Sequence, residues 1–258
     1  MEVPRGETRL RTLILDWRGR PDLLKSGDFY SVGPYFFGMP VLGNPKGRVL
    51  VAMSSTILCD PNGQPSNREF NFELYHKAVK RKATTDRVVW NGDAGWHTKL
   101  LDLTRPGMVD DFLELIRGYF RWADGIHLDY ASAWSWQFKD LAPTDAAWDD
   151  ALVALLSGVR AQGKLALAQQ WHLTKPVLAA SGAFLEQTPT SFGRSLKAHA
   201  ADIAKFRREA KDRETLFVAE LRDPSKAPAE YVTALKEWAV ANDVVLSFGR
   251  DAKAGEGL

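Results

Sequence analysis

Eight short apolar runs, separated by longer stretches of helical periodicity, constrain this chain more than any other feature. They occupy residues 10–17, 27–35, 49–55, 125–130, 164–170, 182–186, 216–220 and 243–248. Each is short and bounded by Gly, Pro or polar residues, which reads as a strand. The stretches between them read as helices. Residues 67–82 carry Phe70, Leu74 and Ala78, and the next helix places Val109, Phe112, Leu113, Ile116 and Phe120 on one face. Trp148, Leu152, Leu155, Leu156 and Val159 recur at i, i+4, i+7, i+8 and i+11, an apolar stripe. Residues 195–212 are expected to bury Leu196, Ile203 and Phe206, and a helix opened by Pro228 to bury Tyr231, Val232, Leu235 and Trp238. Thr104 is read as the N-cap of the second helix with Pro106 in its first turn, and Thr144 and Gly163 as the limits of the third. Residues 88–90 suggest a short extra strand.

Strands alternating with helices define the α/β class, and eight of them in 258 residues favour a (β/α)8 barrel over a doubly wound open sheet. One domain over residues 1–258 is expected, with a loose tail at 252–258. Hydrophobic residues at 45% supply a sizeable core. A net charge of only +2, with Lys77, Lys80, Arg81 and Lys82 read as a solvated helix end, argues against a nucleic-acid partner. The single Cys59 rules out an internal disulfide and a cysteine metal cluster. Residues 1–11 lack the apolar stretch of an export signal, and no run reaches the length of a membrane span. The expectation is a soluble protein, cytoplasmic by default, with extracellular action by another route left open. No glycine-rich phosphate loop precedes a helix, so no cofactor is expected.

In a barrel of this kind, sites form at the C-terminal ends of the strands. The polar residues there are Asp16, Asp129, Gln170, Glu186, Glu220 and Arg250. An Asp at a strand end often does no more than cap the next helix. Alternation, however, puts Gly125, His127 and Asp129 on one face and Ile126, Leu128 and Tyr130 on the other. The apolar set suits the helices, so Asp129 is expected in the barrel mouth with His127 one layer below, as an orienting partner rather than a proton shuttle. By the same parity Glu186 shares an inward face with Gly182 and Phe184. Two inward carboxylates from nonadjacent strands fit glycoside cleavage, where one group protonates the leaving oxygen and the other acts as base or nucleophile. Which is which stays open. Asp16, His127, Gln170, Glu220 and Arg250 are candidates to bind or tune, and Tyr35, Trp96, Tyr130, Trp134 and Trp171 to line the cleft. Flat aromatic faces suit sugar rings. Trp148 and Trp238 fall instead on helix faces.

The path from Trp96 through Asp102-Leu103-Thr104-Arg105-Pro106, a helix, and then Asp124-Gly125-Ile126-His127-Leu128-Asp129-Tyr130 resembles the endo-alpha-1,4-polygalactosaminidase-like barrels and their uncharacterised glycosidase relatives. In that family a D-x-T/N-x-P segment starts the helix before a D-G-I-x-L-D strand, whose last Asp is catalytic. A second acid follows on a later strand, which Gly182-Ala183-Phe184-Leu185-Glu186 resembles. The resemblance spans residues 50–186. It implies a TIM barrel, a metal-independent hydrolase acting on an oligo- or polysaccharide with amino sugars in view, and Asp129 and Glu186 as its catalytic pair. Asp16-Trp17 departs from the more familiar Asp-Tyr, and residues 34–44 have no assigned counterpart. Two other readings stand beside it: a noncatalytic glycan-binding barrel, and a metal-dependent hydrolase. The latter would need ligands from scattered strands, because His97, His127 and His172 are widely spaced.

Overall fold

The computed structural model describes residues 9–16, 27–33, 47–54, 57–59, 68–84, 98–129, 131, 145–170, 179–187, 196–210, 214–221 and 227–247. The strands among them are β1 (Leu13–Asp16), β2 (Phe29–Val32), β3 (Arg48–Ser54), β4 (Ile57–Cys59), β5 (Thr98–Leu100), β6 (Gly125–Asp129), β7 (Leu165–Gln170), β8 (Gly182–Gln187), β9 (Leu216–Leu221) and β10 (Val245–Ser247). The described helices are α1 (Arg68–Lys80), α2 (Met108–Tyr119), α3 (Asp145–Ala161), α4 (Leu196–Ala210) and α5 (Ala229–Ala241). Eight strands form one parallel sheet in the order β1-β2-β3-β6-β7-β8-β9-β10. A parallel bridge from Thr12 to Leu246, with the Leu246 N–H donating to the Arg11 carbonyl at 3.0 Å, brings the last strand back to the first. The architecture is a (β/α)8 barrel, as the apolar runs predict.

Two apolar layers result from the alternation of side chains along each strand. Leu13, Leu15, Phe29, Leu50, Leu165, Leu167, Phe184, Leu216, Val218 and Val245 fill the barrel interior. The intervening positions, among them Val49, Val51, Ile126, Leu128, Ala166, Ala168 and Leu246, face the helices and meet Phe112, Ile116, Trp148 and Leu152. Trp148 is buried in this outer layer and Trp238 packs partly against it, so both helical tryptophans serve the core. Close approach of the strands needs glycine at Gly182, where a Cβ would lie 1.7 Å from the Leu216 carbonyl oxygen.

The start of α2 differs from expectation. The helix begins at Met108 behind Gly107, which takes a left-handed φ of 77° and offers no side-chain cap. Thr104 is not the N-cap because its N–H and hydroxyl both donate to Asp102 Oδ1, at 3.0 and 2.5 Å. That Asx-type turn uses the hydroxyl before the helix begins. Arg105 adds an ion pair to the buried Asp102 at 3.0 Å. The Arg81 guanidinium lies where a Cβ on Gly107 would be, pairs with Asp111 and donates to the Pro106 carbonyl at 2.9 Å, pinning α1 to α2.

A second departure is the antiparallel pair β4–β5, in which Ile57 lies opposite Leu100. Its strands of three residues each are too short to show a period. Residues 88–90, Thr144 and the tail at 252–258 lie outside the described residues. Among the described residues, no helix is long and apolar enough to cross a membrane.

Candidate active site

The motif around β6 divides between the two ends of the barrel. Asp124, just before the strand, accepts the Val49 N–H at 2.8 Å through its carboxylate, and its carbonyl accepts the Leu165 N–H at 2.9 Å. Lys164 donates to the Ala123 carbonyl at 2.6 Å, and burial pushes its ammonium pKa down against the opposing pull of Asp124. These groups hold the N-terminal end of the barrel. Asp129 stands at the other end, partly exposed, in register with Ser54 of β3. Ile126 and Leu128 belong to the outer layer, so Gly125, His127 and Asp129 share the inward face.

His127 is fully buried below Asp129. Its Nε2 meets Gln169 Oε1 at 3.1 Å and its Nδ1 meets Ser31 Oγ at 2.7 Å. A carbonyl oxygen only accepts, so Nε2 donates to Gln169; in the neutral ring Nδ1 then accepts from the Ser31 hydroxyl. The imidazole also stacks on Phe184, with ring centroids 4.7 Å apart and planes at 30°. One side chain therefore touches β2, β7 and β8 from β6. These three contacts fix the orientation of the ring itself.

On the opposite arc, Val218 and Val245 are inward, and the next inward positions are Glu220 and Ser247, paired in register. Glu220 is 2% exposed and Ser247 1%. Glu220 is also in register with Glu186. In backbone register, the ends of β8, β9 and β10 carry Glu186, Glu220 and Ser247 at neighbouring positions. Ser247 Oγ has no hydrogen-bond partner among the described residues.

Of the residues singled out from sequence, Asp129, His127 and Glu220 are described with their side chains and sit on inward positions. Asp16, Gln170 and Glu186 are placed by backbone as members of β1, β7 and β8, and their side chains lie outside the described set. Tyr35, Trp96, Tyr130, Trp134, Trp171 and Arg250 lie outside the described residues. Ser31, Ser54, Gln169 and Ser247 were not singled out. Parity carries the missing signal, since Gln169 follows Leu165 and Leu167, and Ser31 follows Phe29, on inward positions. No group of three or more His, Cys, Asp or Glu that could hold a metal ion occurs among the described residues. Both nitrogens of His127 are engaged by protein groups.

No family model and no curated protein matches the chain. Solved structures do. Ega3 of Aspergillus fumigatus, solved with galactosamine, superposes with a TM-score of 0.57 at 12% identity, over 94% of this chain and 91% of that one. A GH18 chitinase from Pseudoalteromonas aurantia gives 0.50 at 9% identity over 93% of each chain. The chitobiase of Flavobacterium johnsoniae gives 0.52 at 9% identity, over 95% of this chain and 45% of that enzyme. At these identities the likeness is one of fold. The structures that share this barrel nevertheless include glycoside hydrolases.

Proposed function

We propose that the protein is a glycoside hydrolase that cleaves an oligo- or polysaccharide with Asp129 and Glu186 as its two carboxylates. The observation that carries the reading is the position of Asp129, inward and partly exposed at the C-terminal end of β6, directly above the buried His127. That is where barrel enzymes place their chemistry. Glu186 closes the pair from β8, two positions after the inward Phe184. One carboxylic acid protonates the glycosidic oxygen as the bond breaks, and the other stabilises the oxocarbenium-like centre by attacking it or by activating water. A separation of about 5–5.5 Å between the carboxyl groups gives retention, and about 6.5–9.5 Å inversion.

The acid-rich row of Glu186, Glu220 and Ser247 supports a substrate rich in hydroxyl or ammonium groups, and amino-sugar polymers come first among candidates. Ega3, solved with galactosamine, points the same way. The reading is tested by incubating the protein with a panel of amino-sugar and uronic-acid polymers and following reducing-end release. Release by the parent, abolished in folded Asp129→Asn and Glu186→Gln variants, is expected. Binding of a glycan without turnover, at an affinity both carboxamides retain, would instead make this a glycan-binding barrel.

A further inference from the structure

The floor beneath the candidate carboxylates is a two-ring stack. His127 lies two residues before Asp129 on β6, and Phe184 lies two residues before Glu186 on β8. Their rings are in contact at 4.7 Å across β7, and both are buried, at 0% and 1% exposure. Gln169 of β7 fixes one edge of the imidazole and Ser31 of β2 the other. Strands in a sheet keep a spacing of about 4.8 Å through their hydrogen bonds, so adjacent strands have little freedom to separate. Strands that are not adjacent, such as β6 and β8, approach or part as the wall curves, and the curvature follows the volume packed inside.

We infer that His127 and Phe184 are a positioning pair whose stacked thickness sets the separation of Asp129 from Glu186. The inference rests on the glycosidase reading for its kinetic consequence, and on packing alone for its geometric one. Neither ring touches substrate. Hydrogen bonds at both nitrogens fix the orientation of the imidazole, and the phenyl ring has that fixed surface to rest on. A smaller side chain at either position would let the wall flatten or fold inward, moving the strand ends that carry the acids. Misplacement by about 1 Å is enough to cost on the order of 10²-fold in rate.

Phe184→Leu and His127→Gln test this, with Leu165→Ala as a control. Leu165 is an inner-layer residue at the start of β7, away from the mouth. Crystal structures of the parent and the Phe184→Leu variant are expected to differ by roughly 0.5 Å or more in the Asp129–Glu186 Cα distance, about half the displacement that costs 10²-fold. The two mouth-side variants are expected to lose about 10²-fold in kcat with KM little changed, while the control, matched for lost thermal stability, keeps its kcat. An unchanged Cα distance overturns the proposal whatever the substrate. An equal fall of kcat in the control also overturns it, because the pair then contributes only stability. If the parent turns over no glycan, the glycosidase reading fails while the crystallographic comparison still decides the spacing.

Discussion

Ser31 and Ser247 are both buried serines on inward positions of barrel strands, at 0% and 1% exposure, yet the fold treats them differently. Ser31 is bonded to His127 and through it to Gln169. Ser247 has no partner among the described residues. The arc from β2 through β6 to β7 is therefore cross-braced by polar contacts within the barrel. The arc of β9 and β10 is apolar up to Val218 and Val245, and turns polar only at Glu220 and Ser247. A buried polar group with a protein partner serves the framework, and one at the mouth without a partner costs stability. The contrast separates a serine bonded into the framework from one left unsatisfied at the strand ends.

The largest effect expected of any single change is on activity. Asp129→Asn keeps the size and shape of the side chain and removes its charge and basicity. Loss of a positioned acid or base costs about 10²–10⁴-fold, so kcat against a cleaved glycan is expected to fall at least that far while the urea midpoint barely moves. If activity survived, Asp129 would belong with the framework and the division drawn above would be misplaced. Gly182→Ala acts on the other half of the comparison. Its Cβ would sit 1.7 Å from a backbone oxygen of β9, and backbone cannot step aside as a side chain tip can. Destabilisation of about 3 kcal/mol is expected, at the upper end of overpacking costs, measured by urea unfolding.

His127→Leu comes next. It removes two hydrogen bonds, each worth about 1 kcal/mol net, so a loss of about 2 kcal/mol is expected on chemical denaturation. Adding Ser31→Ala to that variant removes the hydroxyl that faced the imidazole, and the double variant is expected to lose less than the sum of the two single losses because the shared bond counts once. If the double variant were simply additive in its losses, the bonded arc would not be acting as a unit.

Much of this architecture is legible in the sequence because it depends on local pattern. The eight apolar runs, the helix stripe from Trp148 to Val159 and the parity of His127 against Leu128 all follow from neighbouring residues, and all of them stand in the structure. What sequence hid is nonlocal or competitive. Ser31 lies 96 residues from His127, and Gln169 lies 42 from it; no spacing rule links them. The pair β4–β5 joins two segments too short to show a period. Thr104 has the composition of a cap, yet Asp102 two residues earlier claims its hydroxyl first. Within the D-G-I-x-L-D segment the two acids stand apart, Asp124 bracing the N-terminal end of the barrel and Asp129 at its mouth.

The smallest change tests the opening contrast most directly. Ser31→Ala leaves His127 Nδ1 without its hydroxyl partner and is expected to cost about 1 kcal/mol or slightly more, since a buried group left unpaired bears its desolvation in full. Ser247→Ala removes a hydroxyl that has no hydrogen-bond partner among the described residues, so the folded state loses no such bond and sheds an unsatisfied buried oxygen. Its stability is expected to stay level or rise by up to about 1 kcal/mol. The two substitutions are chemically identical, the sites are equally buried and the strands belong to one barrel, so the sign of the difference isolates the role of the partner. Equal destabilisation in urea would mean that the Ser247 hydroxyl is also braced.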